Sequence, residues 1–305
     1  MRENPLPNFV CVGAQKSGTT TLHDVLSQHP DIFLPALKET KFFFQDALYE
    51  QGANYYSQKY YGSVTTEKAI GDVDPENMYF EEIPERIRSV LGEDVKIVFM
   101  LRNPADRAYS HYLMSARRGF DHMAFDEAVE CEERRIAESR EAKNQLSYID
   151  RGRYADQVAR YMKYFKKENM LFVIFEEDFI KNKQETIERL LAFLGVDPEV
   201  ALNLDLQSNK SGHPRFPFIK NMLHRPNFVV RAARYLLPTK KIRKKIRGAL
   251  FQFSEAHQVA VSKSKLTDDE RSRLINAFFM EDINRLERLL ERDLSCWYGR
   301  KSGVR

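Results

Sequence analysis

The sequence predicts an α/β fold of three layers, a central parallel sheet flanked by helices, on two observations. Short apolar runs of strand composition alternate along the chain with helical patterns, and the first run leads through a glycine-containing loop straight into a helix. Apolar runs without polar alternation are what a parallel sheet covered on both faces requires.

The first strand is FVCVG, from Phe9 to Gly13, marked by its β-branched and aromatic content and its closing glycine. After AQKSG comes TTTLHDVLSQHP, with Leu22, Val25 and Leu26 at helical spacing and Pro30 beyond the end. A second strand is KIVFML, from Lys96 to Leu101, and RNPADR then opens a helix near Pro104, where the missing N–H of proline costs nothing. The third strand is MLFVIF, from Met170 to Phe175, preceded by the amphipathic helix YADQVARYMKYF. Between the second and third strands DEAVECEERRIAESREAK predicts an exposed helix, and DDERSRLINAFFMEDINRLERLLERDL predicts one or two closing amphipathic helices. There is no internal repeat and no Gly/Ser linker, so the expectation is one domain over residues 1–305, with a basic elaboration at about 206–254.

A chain of 305 residues with 43% hydrophobic and 30% charged residues can bury a large core and stay soluble, which sets disorder aside. MRENPLPNFVCVGAQ has no apolar stretch of signal-peptide length and no later run reaches a membrane span, so a cytoplasmic protein is expected. Cys11, Cys131 and Cys296 are widely separated with no CxxC pair, which predicts reduced thiols and no metal site. The net charge of +4 is local in origin, because 206–254 holds 12 Lys or Arg and no Asp or Glu. Within it, 220–247 interleaves Lys and Arg with apolar residues and suits an acidic glycan or a membrane surface, or is a merely solvated face; no specific nucleic acid is implied.

The segment Gly13 to Thr21 is built for an anion. A loop between a strand's carboxyl end and a helix gathers backbone N–H groups and the positive end of the helix dipole. Gly18 permits the tight turn, Thr19, Thr20 and Thr21 offer hydroxyls, and Lys16 supplies charge, with Gln15 and Ser17 completing the loop. The fold expected is therefore P-loop-like. The nucleotide-triphosphatase form GxxxxGK[ST] is not met, since Thr19 stands in the lysine place and Lys16 precedes Gly18 by two residues.

QKSGTTTL resembles the 5′-phosphosulfate loop of sulfotransferases that use 3′-phosphoadenosine 5′-phosphosulfate (PAPS), in their heparan-sulfate-type and bacterial branches. LRNPADRAYSHY resembles the family's 3′-phosphate signature, and KETKFFF, GRYADQVARY, SNKSGHPRF and ERDLSCW resemble further family features, from about Phe9 to Trp297. The resemblance implies PAPS as co-substrate, 3′-phosphoadenosine 5′-phosphate (PAP) as product, no metal, and sulfuryl transfer to a hydroxyl or amine, with a saccharide or small-molecule acceptor.

It assigns Lys16 to the phosphosulfate, Gly18 to Thr21 to the 5′-phosphate, Arg102 and Ser110 to the 3′-phosphate, and Glu39 to proton removal from the acceptor. The guanidinium fork of Arg102 suits phosphate oxygens. Phe42, Phe43 and Phe44 are expected to desolvate Glu39, although KETK also fits a solvated loop. His111, Asp72 and Asp74 are rival bases. Val73 replaces a family lysine in DVDP, and Lys41 is a candidate substitute. The resemblance places Tyr154 near the co-substrate, although an aromatic at a helix start also suits the core, and Lys210, Ser211, Gly212 and Arg215 suit either a loop that closes over the co-substrate or an unspecialised surface loop. Two other readings stand beside this one: a P-loop small-molecule kinase or NTPase needing Mg²⁺ and ATP, and a non-catalytic polyanion-binding protein driven by the basic block.

Overall fold

The computed structural model describes residues 5–205 and 265–299, all of which belong to one compact unit. The expected basic elaboration at 206–254, the surface at 220–247 and the candidate loop residues Lys210, Ser211, Gly212 and Arg215 lie outside the described residues.

Five parallel strands form the sheet: β1 (Phe9–Gly13), β2 (Ile32–Phe33), β3 (Ala69–Val73), β4 (Lys96–Leu101) and β5 (Met170–Ile174), in the order β2-β3-β1-β4-β5. The first strand in the chain therefore sits at the centre, between β3 and β4. All five residues of β1 are buried, as a strand covered on both faces must be. The order reverses direction at β1, so the crevice beyond its carboxyl end is the natural binding place in such a sheet.

The helices are α1 (Thr19–Leu26), α2 (Asp46–Tyr49), α3 (Gly52–Tyr60), α4 (Ile83–Leu91), α5 (Pro104–Arg117), α6 (Phe125–Glu130), α7 (Glu132–Ile136), α8 (Arg140–Leu146), α9 (Tyr154–Met162), α10 (Lys183–Leu194), α11 (Asp268–Leu274) and α12 (Met280–Leu290). One core cluster joins Phe9 and Cys11 of β1, Leu22, Val25 and Leu26 of α1, Val98 and Met100 of β4, and Ile187, Leu190 and Leu191 of α10. Among the described residues no helix is long and apolar enough to cross a membrane.

The structure departs from the sequence pattern in three places. β2 and β3 carry no strong strand signal, yet they extend the sheet on one side of β1. The sequence AIGDV of β3 contains a glycine because Phe9 lies across it, and a Cβ at Gly71 would meet the Phe9 ring at 2.1 Å. The single exposed helix expected from DEAVECEERRIAESREAK is instead three short helices, α6 to α8. Glu132 is the reason at the first break: it is buried, and its carboxylate accepts the amides of Ile149 and Asp150 at 2.8 to 3.0 Å. Finally, α11 and α12 are joined by a π-helical turn at Ile275–Phe279, where Phe279 is fully buried against the position of Gly152.

Candidate active site

The loop after β1 is shaped by left-handed residues. Gly18 (φ 89°) caps α1 without any side-chain bond, which leaves the first-turn N–H groups of α1 open to an anion. A Cβ at Gly18 would lie 2.7 Å from the Phe175 ring. The next helix over is built the opposite way, because the Asn103 side chain accepts the amides of Ala105 and Asp106 and closes the start of α5. Of the two adjacent helix starts, then, only that of α1 is left open.

Lys16 is held at φ 73° with Nζ 3.9 Å from Met114 Sδ. Burial, then the charges of Arg118, Arg102, Arg117 and Arg107, push its pKa down to about 8. Ser17 is fully buried and its Oγ has no hydrogen-bond partner, and the same is true of the Gln15 Oε1 atom in half-buried Gln15. Thr19 is buried, and Thr20 and Thr21 are half-buried.

Arg102 leaves the end of β4 and donates from Nη1 to the Lys16 carbonyl at 3.0 Å, tying the two loops together. Its guanidinium lies 5.3 Å from the centre of the Phe175 ring, and its Nε has no partner. Tyr154, at the start of α9, is fully buried and donates to the Arg102 carbonyl at 2.9 Å. Trp297 closes the same corner: Glu176 accepts from its Nε1 and from the Asn103 amide, each at 2.9 Å. Ser110 is half-buried on α5.

On the other side of β1 the charge reverses. Asp72, Asp74 and Glu76 are buried at the carboxyl end of β3. Burial, then Asp72, Glu76 and Glu39, raise Asp74 to about 8. Thr40 Oγ1 and Tyr56 Oη each donate to Asp72 at 2.6 Å, and the Lys41 amide donates to Asp74 at 2.8 Å. These bonds hold a loop in which Glu39 (φ 63°) and Lys41 (φ 57°) both adopt the left-handed region without being glycine, a conformation costing on the order of 1–3 kcal/mol per residue.

The family model described as "Sulfotransferase domain" matches residues 6–212, which is more than half of the chain. The chain belongs to the PAPS-dependent sulfotransferase family. It is 29% identical over 202 residues to human "Bifunctional heparan sulfate N-deacetylase/N-sulfotransferase 2", covering 63% of this chain and 22% of that protein. It is 25% identical over 205 residues to human "Heparan sulfate glucosamine 3-O-sulfotransferase 5", covering 64% of this chain and 55% of that protein. The chain thus spans about a fifth to half the length of these relatives. A solved "Sulfotransferase from Alicyclobacillus acidocaldarius" superposes with a TM-score of 0.69 at 27% identity, covering 96% of this chain and 99% of that one.

As a sulfotransferase, the chain has residues that fit an anionic co-substrate: an uncapped helix start, an orphaned buried hydroxyl on Ser17, and a half-buried lysine among arginines. The sequence-predicted residues Gln15 to Thr21, Arg102 and Tyr154 come together at the ends of β1 and β4.

The aromatic neighbours expected to desolvate Glu39 are engaged elsewhere. Phe42 stacks on Tyr56 at 4.0 Å, Phe43 packs edge-on to the same ring, and Phe44 lies on Phe80. The Glu39 carboxylate, 36% exposed, pairs instead with Lys38 at 2.6 Å. His111 is fully buried, with Nδ1 3.2 Å from the Ser147 carbonyl; burial, then Arg107, Arg151 and Lys16, hold it well below its usual pKa, so the ring is neutral. Lys41 Nζ lies 3.4 Å from Glu76. Sequence reasoning missed Arg117, Arg118 and Phe175, the first two because two arginines at a helix end look like an ordinary solvated terminus.

Proposed function

We propose that this sulfotransferase moves the sulfuryl group of PAPS to a saccharide hydroxyl or amine, with Glu39 as base. The observation that carries the reading is the joining of the loops after β1 and β4, where Arg102 bonds to the Lys16 carbonyl beside an uncapped helix start. PAPS brings a sulfuryl group already attached to a phosphate leaving group. The amides of α1 and the Thr20 and Thr21 hydroxyls hold the 5′-phosphate, and Arg102 with Ser110 holds the 3′-phosphate. Lys16 neutralises the charge that gathers on the 5′-phosphate oxygen. Its lowered pKa reflects a site in which a cation without an anion is unfavourable, so an incoming anion is rewarded. Glu39 takes the proton of the attacking hydroxyl or amine. It is preferred to His111 because it is 36% exposed and can meet an acceptor, whereas His111 is sealed in the interior.

The saccharide acceptor is supported by the names of the relatives, which are heparan sulfate enzymes. The kinase reading loses support on the same ground, and on the lysine place being filled by Thr19.

Calorimetric titration with PAP, AMP and ATP with Mg²⁺, repeated on Arg102→Ala, tests the donor side. The expected result is PAP binding that exceeds AMP binding by at least tenfold and loses that margin in Arg102→Ala. Metal-dependent ATP binding indifferent to the 3′-phosphate would sink the reading. On the acceptor side, PAP release from PAPS is compared with glucosamine-containing oligosaccharides and with simple phenols. A preference for phenols would overturn the saccharide assignment alone.

A further inference from the structure

The base proposed above sits on a strained loop, and what holds that loop is a pair of carboxylates 32 and 33 residues beyond the groups they bind. The fixed points belong to the sheet. The Asp74 amide donates to the Cys11 carbonyl at 3.1 Å, so the end of β3 is locked to the end of β1. From this anchor the Asp74 carboxyl reaches the chain on two sides, accepting the Lys41 amide at 2.8 Å and the Glu76 amide at 3.2 Å. Asp72 accepts the Thr40 hydroxyl and the Tyr56 hydroxyl, both at 2.6 Å. The Thr40 carbonyl in turn accepts from Tyr60 at 3.3 Å, and the Thr40 hydroxyl lies 3.4 Å from the Phe42 amide.

Thr40 is thus gripped through its side chain and its carbonyl, and the residues on either side of it are the two with positive φ. Such a conformation persists only when the surroundings over-determine it. Asp72, Asp74 and Thr40 are all at most 3% exposed, while Glu39 is half-buried at the loop's outer turn.

We infer that Asp74, backed by Asp72, is a positioning residue that fixes the 39–41 loop and so presents the Glu39 carboxylate to the acceptor. The inference rests on the reading of Glu39 as base. Near neutrality Asp74 keeps its proton, since burial and the neighbouring carboxylates raise it to about 8. A neutral acid still accepts both amides, and adds no repulsion toward Glu39. Asparagine keeps the carbonyl needed by the Lys41 amide, whereas alanine removes both acceptors.

The test uses the whole chain and reads three quantities. Amide exchange of residues 39–42 by mass spectrometry needs no acceptor, and Asp74→Ala is expected to accelerate it at least tenfold. Its PAP affinity is expected to stay within about twofold of wild type, because the donor half of the site is held by other residues. PAP release from PAPS in the presence of glucosamine-containing oligosaccharide is expected to fall at least thirtyfold in Asp74→Ala, to recover most of the way in Asp74→Asn, and to fall less than twofold further when Asp74→Ala is added to Glu39→Gln. Thr40→Val, which removes the bond to Asp72 with little change of shape, serves if Asp74→Ala does not fold, and is expected to accelerate the same exchange.

Unchanged exchange, a parallel loss of PAP affinity, or full additivity with Glu39→Gln would overturn the inference. A dead Glu39→Gln beside a fully active Asp74→Ala sinks the positioning role alone. An active Glu39→Gln sinks the base assignment, and the positioning role with it.

Discussion

The two sides of β1 are electrostatic opposites built from the same elements, a strand end and the loop that follows it. Toward β4 the groups around Lys16 are Arg102, Arg107, Arg117 and Arg118, and burial among them drives the lysine down to about 8. Toward β3 the groups are Asp72, Asp74, Glu76 and Glu39, and burial among them drives Asp74 up to about 8. The acidic half is partly balanced, with Lys38 on Glu39 and Lys41 on Glu76, whereas the charges around Lys16 are all positive. The basic half suits an anion such as a doubly phosphorylated nucleotide, and on the proposed reading of Glu39 the acidic half takes the proton away. On the proposed reading the reaction line runs across β1, from anion to proton acceptor, and the sheet order puts β3 and β4 on either side of β1.

The largest effect that would break this comparison is removal of the one lysine on the basic half's loop. Lys16→Met keeps the apolar stem beside Met114 and deletes the charge. Sulfuryl transfer to whichever acceptor the wild type turns over fastest is expected to fall by about two to three orders of magnitude, as for loss of a charge-stabilising group at a reacting centre. Steady-state kinetics checks it, and a loss below tenfold would mean that the arginines alone carry the donor half.

Next in size is Gly18→Ala. The new Cβ would meet Phe175 at 2.7 Å in a backbone at φ 89°, and Phe175 is the ring on which Arg102 rests. Left-handed strain and overpacking together cost about 2–4 kcal/mol, which lowers the melting temperature of a chain of 305 residues by about 3–6 °C. PAP affinity is expected to fall with it, by about tenfold, since the ring's displacement moves Arg102. A thermal scan paired with calorimetry separates the two, and lost stability with intact affinity would detach Phe175 from the donor half.

A third measurement sharpens the charge argument without a stability change. The folded pKa of Lys16 is lowered from its ordinary 10.5 to about 8, so before an anion binds the lysine is charged below about 8 and neutral above it. An anion bound beside it favours the charged form, so PAP affinity should hold below pH 8 and decline as pH rises through it. Between the two values, binding should take up to one proton, read at about pH 9 as a dependence of the calorimetric enthalpy on buffer ionisation. Lys16→Met should abolish the uptake. Equal enthalpies in all buffers for the wild type would mean that Lys16 is already charged.

Legibility in the sequence followed the same division. The basic half was readable because its residues are local: Gly13 to Thr21 lie on one loop, and Arg102 immediately follows an apolar run that could only be a strand. The acidic half was not. β3 carries Gly71 and Asp72, both poor strand formers, and its reason for being a strand is the Phe9 ring lying over Gly71. β2 is two residues long and has no pattern to read. Glu39 was found through its resemblance to a family motif, but its surroundings were misjudged. KETKFFF suggests a carboxylate among rings, whereas Phe42 and Phe43 turn toward Tyr56 and the carboxylate turns toward Lys38. That outcome is decided by Thr40 bonding to Asp72, a contact between distant parts of the chain that no local pattern encodes.

The smallest expected effect tests the acidic half through stability alone. Asp74 has a folded pKa raised from 3.8 to about 8, with burial as the first cause and the charges of Asp72, Glu76 and Glu39 following. Between those two values the folded chain holds a proton that the unfolded chain has released. Its contribution to stability is therefore complete below about pH 4 and is lost as pH rises through 8. Asp74→Asn has no proton to lose, so it should gain on the wild type as pH rises from about 5 to about 8, whatever its absolute stability. The gain should appear as a change of a few °C in the difference between the two melting temperatures. Because only the difference is read, the titration of groups that do not interact with Asp74 cancels to first order, including that of His111, whose lowered pKa acts in the opposite sense, costing stability as pH falls. A difference that stays flat across the window would mean that Asp74 is ionised throughout. Its charge would then have to be balanced by Lys38 and Lys41, and the acidic half would be a set of ion pairs rather than a store for a proton.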